Sequence, residues 1–348
     1  VRSAVYLDAF TLACPHSEAG MESFGSYIQN LLNWSELRRM EWIDIYTSRT
    51  TSKVLFEVGA YPPWRDLQLA VNQLGIQHVQ TKDIVDIVNG FLQRTFIVED
   101  ELGIDDVLFD HYGLVPAVDY AGRPGPFVQH FELLTILLAL HKSLYEELSN
   151  PLLVSCPDLK HQGNTQVMAT LLEVACSSSS AAVAACHTPY TISAQFAICI
   201  SLHSLHMSVD ACCIWSCSTC YEAMRKAIEV FAYQQTPSGL EYFNVLEDHP
   251  FAFGQNFIDS SRASGFFDDP SKIRKLLRAC VETILGTNLR AVHALRVDRG
   301  NDKAQITRGT DKAYRRDIDH EFHLHYWETE NGFEFADVVH HNDFRISF

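Results

Sequence analysis

A chain of 348 residues has room for two domains, or three, each with its own core. With 47% apolar and 20% charged residues its composition is globular, and a formal charge of −16 excludes a generally basic nucleic-acid binder. No window offers about 20 uncharged apolar residues, so no membrane span is expected; the start, Val1 to Asp8, shows no secretory pattern and no Met, as in a trimmed chain or one with a non-standard start; and ten cysteines read as reduced thiols or metal ligands of a cytoplasmic protein.

Residues 1–127 predict an α-rich region with short strands. Phe24, Tyr27, Ile28, Leu31 and Leu32 have helical spacing. Ser35-Glu36 opens a second expected helix through Leu37, Met40 and Ile43, and Val54 to Val58 reads as a short strand. Pro62-Pro63 precedes a helix that Gly75 ends, and Thr81 caps the next. Acidic surroundings argue against a DNA-binding helix-turn-helix here. His111 to Phe127, rich in Gly and Pro, is expected to be a linker or long loop.

Residues 128–268 form the expected central region. A helix over about Val128 to Leu148, apolar nearly all round, predicts a buried central element. Residues 161–221 carry only two formal charges, Glu173 and Asp210, and seven of the ten cysteines. That pattern fits a core of small residues or a docking surface for a partner or a second copy. A helix over Tyr221 to Tyr233 and a loop-like stretch over 236–268 complete this region.

Residues 269–348 predict a small α+β unit. Asp269-Pro270 is a helix start, with cap and first-position Pro, and Gly286 ends that helix. Ala291 to Val297 reads as a strand, 298–302 as a turn and Ala304 to Thr307 as its return. Residues 270–316 hold twelve Lys or Arg against four Asp or Glu, which makes 270–330 the candidate nucleic-acid contact. The last stretch alternates aromatic and polar residues on both sides of Asn331-Gly332, a hairpin signal. A two-residue turn at Asn331-Gly332 places Trp327 opposite Ala336, His325 opposite Val338 and His323 opposite His340.

Three chemistries are compatible with that hairpin. His323, His325 and His340 on one face suit a zinc site, with Glu321 or Asp343 as a further ligand or an orienting group. Alternatively, His323, His325 and Glu321 beside Lys312, Arg315 and Arg316 supply the acid, base and cations of metal-independent phosphodiester cleavage. Structural sheet histidines are the third reading. The spacing His323-x-His325-x4-Glu330 partly echoes the first cupin motif, without its glycines or second half. Cys213-x3-Cys217-x2-Cys220 has the radical S-adenosylmethionine spacing but lacks the usual aromatic residue; a structural zinc, with His206 in reserve, or buried thiols are its other readings. No Walker loop, dinucleotide fingerprint, His-Glu-x-x-His or nucleophile elbow is present. The expected architecture is α+β. The expected function is that of a subunit of a larger, prokaryotic assembly whose His-rich sheet contacts nucleic acid or phosphate. The alternative is a nuclease-like toxin or antiviral defence effector.

Overall fold

The computed structural model describes residues 3–40, 42–76, 79–120, 122–145, 150–161, 163–176, 188–236, 246, 248–298 and 303–348. The fold is mixed α+β, and the chain divides into two compact units, Val1–Val209 and Asp210–Phe348. The expected boundaries after residues 127 and 268 fall inside these units. The first fails because elements on both sides of it share one core.

The first unit runs β1 (Ser3–Leu7), α1 (Gly20–Ser35), β2 (Ile43–Thr47), α2 (Thr51–Glu57), α3 (Trp64–Leu74), α4 (Thr81–Arg94), β3 (Phe96–Ile97), α5 (Val98–Leu102), β4 (Ile104–Val115), α6 (Gly125–Leu144), β5 (Leu152–Val154), β6 (Gly163–Cys176), β7 (Tyr190–Cys199) and α7 (Leu202–Ser208). Its sheet has the order β3-β2-β1-β5-β7-β6-β4. β3, β2, β1, β5 and β7 run parallel, and β6 and β4 add antiparallel. β1 and β5 are buried at every position, as parallel strands covered on both faces must be. α6 lays Phe131, Leu134, Leu137 and Leu138 into the core shared with Tyr6, Leu153, Val167 and Phe196. Each such fully buried side chain contributes about 1.5–3 kcal/mol.

Several expectations are corrected here. Val54 to Val58 is helical, because Thr51, Val54 and Leu55 meet the core at helical spacing while Phe56 points outward. Ile43 begins β2 rather than continuing a helix; a single 3-10 turn, Glu36–Arg39, links α1 to it. The cap of α4 is Gln80, in a reciprocal capping box with Asp83. The expected linker is shortened at both ends, since β4 extends to Val115 and α6 begins at Gly125. Residues 116–120 and 122–124 lie outside helix and strand, as expected of that stretch, and precede α6. The low-charge stretch supplies β6, β7 and, among the described residues, two short helices, Leu202–Ser208 and Ala211–Ser216; its residues 162 and 177–187 lie outside the described residues.

The second unit runs α8 (Ala211–Ser216), α9 (Tyr221–Gln235), β8 (Phe251–Phe253), α10 (Phe257–Ala263), α11 (Pro270–Ile284), β9 (Val292–Ala294), β10 (Thr307–Arg308), β11 (Asp311–Asp317), β12 (Phe322–Thr329) and β13 (Gly332–His340). The sheet order is β10-β11-β12-β13-β8, with β9 also paired to β11. It is antiparallel apart from the parallel pair β8 and β13. Asp269 caps α11 by accepting from the amides of Ser271 and Lys272, as the sequence implies. β8 and α10 lie within the stretch expected to be loop. The expected turn over 298–302 lies almost wholly outside the described residues. α10 and α11 pack on one face of the sheet. On the other face a small core of Leu295, Ala313, Trp327 and Ala336 is closed by Ile346 and Phe344.

Candidate functional site

The hairpin forms, but in a different register. Thr329 pairs with Gly332, so Glu330 and Asn331 make the turn. The Thr329 hydroxyl accepts from the Asn331 amide and donates to the Gly332 carbonyl. Gly332 has φ +114° and is a strand residue, approached so closely by the Pro250 carbonyl that a Cβ there would collide with it. That two-residue slip alone would leave every side chain on its expected face. A bulge between His325 and Tyr326 then leaves Ala336 unpaired and flips the rest of β13. His325 faces Asp337, His323 faces Val339, and His340 faces Phe322.

His341 therefore takes the place expected for His340. His323 lies with Arg315, Asp317 and His325 on one sheet face, since Arg315 pairs with His325 and Asp317 with His323. His293 of β9 is opposite Arg315 and joins them. His293, Arg315, Asp317, His323 and His341, together with Arg296, Asp298, Asn342 and Phe344, line an open cleft of about 750 Å³.

Asp317 lies between two imidazoles, 3.0 Å from His323 Nε2 and 3.7 Å from His293 Nε2. An ionised carboxylate only accepts, so His323 carries its proton on Nε2 and its Nδ1 is a bare acceptor. That Nδ1 is buried and has no partner among the described residues. His325, fully buried, donates from Nδ1 to the Arg345 carbonyl at 2.9 Å, and its Nε2 is likewise unpartnered. Burial pushes the His323 imidazole down to about 4, with Arg315, His325 and His341 adding to the effect against the pull of Asp317. Burial also lowers His325. Both are neutral at pH 7. Arg315 rests against Phe344, with its Cζ 5.6 Å from the ring centroid. It makes no ion pair among the described residues, and its Nε is unpartnered. The C-terminal segment closes this face: Asp337 accepts from the Ser347 amide and hydroxyl, and Trp327 Nε1 donates to the Ser347 carbonyl.

The remaining expected residues are elsewhere. Arg316 is on the opposite face, 1% exposed. Its guanidinium donates to the Glu282 carboxylate at 2.8 Å and to the Thr287 carbonyl at 2.7 Å, holding the end of α11 rather than a ligand. Lys312 is exposed on that same side, opposite Glu328. Glu321 is exposed before β12, and its backbone carbonyl accepts from the His341 amide. His340 has left the face of His323 and His325, so the expected three-imidazole zinc set is not assembled. Among the described residues no group of three or more His, Cys, Asp or Glu side chains is placed to hold a metal ion, Cys213, Cys217 and Cys220 included.

The residues missed from sequence are His293, Asp317 and His341. The β9–β11 pairing that brings in His293 is non-local, and counting from the turn cannot reveal the bulge that brings in His341. A second polar cluster was also missed. At the carboxyl ends of β1 and β5, where the chain leaves the sheet in opposite directions, Asp8 and Arg123 are fully buried as a pair at 2.8 Å. Arg123 also donates to Asp158 and Ser155, both at 2.8 Å, and Ser155 donates to Asp8 at 2.7 Å. The signal was two apolar strands running into polar residues, Val5-Tyr6-Leu7-Asp8 and Leu153-Val154-Ser155-Cys156-Pro157-Asp158. Comparison with family models, with curated proteins and with solved structures finds no match.

Proposed function

We propose that this chain is a binding subunit that holds a phosphate group, such as that of a nucleic acid, in the cleft of its C-terminal unit. The observation that carries this reading is Arg315, a guanidinium without a carboxylate partner among the described residues, set among His293, His323 and His341. A planar cation of this kind is suited to bidentate contact with phosphate. Calorimetric titration with inorganic phosphate and with a single-stranded hexanucleotide tests it. Arg315→Ala should weaken binding about tenfold or more at unchanged melting temperature; unchanged affinity overturns the reading.

The outward face of β6 supports an assembly role. Asn164, Gln166, Met168 and Thr170 alternate with buried Thr165, Val167, Ala169 and Leu171, and Ser193 and Gln195 continue that face on β7. Over Asn164, Gln166, Met168, Ser193 and Gln195 it carries no formal charge, with Asp110 opposite Thr170 and exposed Glu173 at its border, so on a chain of −16 two copies would meet over these five positions with little repulsion. Light scattering over a dilution series should show a dimer that Met168→Asp dissociates; a monomer throughout overturns this part.

Asp317, set between two imidazoles, favours a second reading, metal-independent RNA cleavage. One imidazole takes the ribose 2′-hydroxyl proton, O2′ attacks phosphorus, and a protonated imidazole supplies the proton to the departing 5′-oxygen. That reading requires 2′,3′-cyclic ends lost in His293→Ala; intact RNA after prolonged incubation leaves binding alone.

A further inference from the structure

The first unit carries a cleft of its own, of about 700 Å³, between the turn that precedes β2 and the end of α4. Arg38, Arg39 and Arg94 line it, with Asp44 as the acidic residue on its wall. Arg39 is held by Glu36 at 3.0 Å, whereas Arg38 and Arg94 make no ion pair among the described residues. Among the described lining residues, Arg38 and Arg94 remain as two guanidiniums without an ion pair beside Asp44, on a chain of formal charge −16. Arg38 packs against α4. Its guanidinium lies across Gly90, where any Cβ would collide with it, and its Cζ is 5.9 Å from the Phe91 ring centroid. Glycine inside α4 costs about 1 kcal/mol in helix propensity, and here it makes room for a cation.

The same cleft has an aromatic wall. Phe96 of edge strand β3 is 48% exposed. Its ring centroid lies 5.5 Å from that of Tyr46, which stacks in turn on buried Tyr6 at 5.3 Å. Phe96 is thus the exposed end of an aromatic row rooted in the core, a rigid surface on which a planar group can stack. Cations that bind phosphate beside an exposed ring backed by other rings are the two requirements for holding a nucleotide.

We infer that this cleft binds a nucleotide, with the phosphate between Arg38 and Arg94 and the base against Phe96. The ligand chemistry is shared by a free nucleoside monophosphate and by a nucleotide within a single strand. The site is separate from the C-terminal cleft and stands or falls independently of it.

Calorimetry on the full chain with AMP, inorganic phosphate and a single-stranded adenine hexanucleotide tests the inference, in the wild type and in Arg315→Ala. AMP should bind in both backgrounds. The pair Arg38→Glu and Arg94→Glu should weaken AMP about tenfold or more, with Arg38→Gln and Arg94→Gln as the milder pair should the reversal disturb folding. Phe96→Ala should weaken AMP while leaving inorganic phosphate unchanged, which a purely structural role of Phe96 does not predict. A hexanucleotide that binds about tenfold or more tighter than AMP identifies a strand; equal affinities identify the free nucleotide. Absence of AMP and hexanucleotide binding in the Arg315→Ala background, affinity untouched by both Arg pairs, or displacement of AMP by an oligoglutamate peptide overturns the inference.

Discussion

The Asp8–Arg123 cluster of the first unit and the Arg315–His323 cleft of the second use similar side chains to opposite ends. In the first, the guanidinium is saturated: Nε faces Asp158, one terminal nitrogen Asp8 and the other Ser155, and its side chain is fully buried. In the second, Arg315 has no carboxylate partner among the described residues, and two buried imidazole nitrogens beside it have no donor. A buried charge whose hydrogen bonds are all made holds structure together. Polar atoms left unsatisfied at an open cleft are more costly to the fold, and they point to a ligand. The distinction lies in satisfaction, not in residue type.

The largest expected effect breaks the first side of that comparison. Arg123→Ala leaves Asp8 buried without its partner, which should cost about 3–5 kcal/mol of stability in the first unit. Replacing Asp8 and Arg123 together by Leu and Met should recover a good part of that loss. Denaturant titration reads both. A loss within about 0.5 kcal/mol for Arg123→Ala would place the cluster with the exposed pairs and leave it free for a ligand.

The neighbours Arg315 and Arg316 offer an internal control within the second unit. Arg316→Ala removes the donors to Glu282 and to the carbonyls at the end of α11, and should destabilise the unit by about 2–4 kcal/mol. Arg315→Ala removes no carboxylate pairing among the described residues and should change stability by less than about 1 kcal/mol. Melting curves of the two variants, taken side by side, decide the matter. If Arg315→Ala proves the more damaging, its guanidinium is structural and the cleft loses its cation.

Much of this was legible in the residues. Asp269-Pro270, the Gly75 terminator and the apolar α6 follow from local chemistry and stand as expected. The hairpin also stands, because alternation over so many positions leaves little else for the segment to do. Its faces were not legible. Ala336 is placed in the bulge by tertiary contacts, with Trp327 and Ile346 on one side and Gly254 alongside, and nothing in the local pattern announces it. One unpaired alanine exchanged His340 for His341 and, with β9, replaced an expected metal set by a carboxylate between two imidazoles. Val54 to Val58 failed differently: a short apolar run fits helix or strand equally, and its neighbours in space decided.

The smallest expected effect concerns protons, and it sharpens the comparison most directly. Burial holds both His130, hydrogen-bonded to Thr51 beside the closed cluster, and His323 at about 4, below the ordinary 6.5. In the unfolded chain both take up protons near 6.5, while the folded chain refuses them until about 4. The unfolded state therefore binds more protons across that window, and stability, complete above about 6.5, is lost as the pH falls towards 4. The two histidines should separate when phosphate is added. An anion held by Arg315 favours the imidazolium of His323 and should raise its midpoint towards 6.5, while His130, with Asp8 and Arg123 already paired, should not move. Ring-resonance titration of both histidines by NMR, with and without phosphate, makes the measurement. Equal movement of the two would reveal a general salt effect, and no movement of His323 would mean that the anion does not sit beside it.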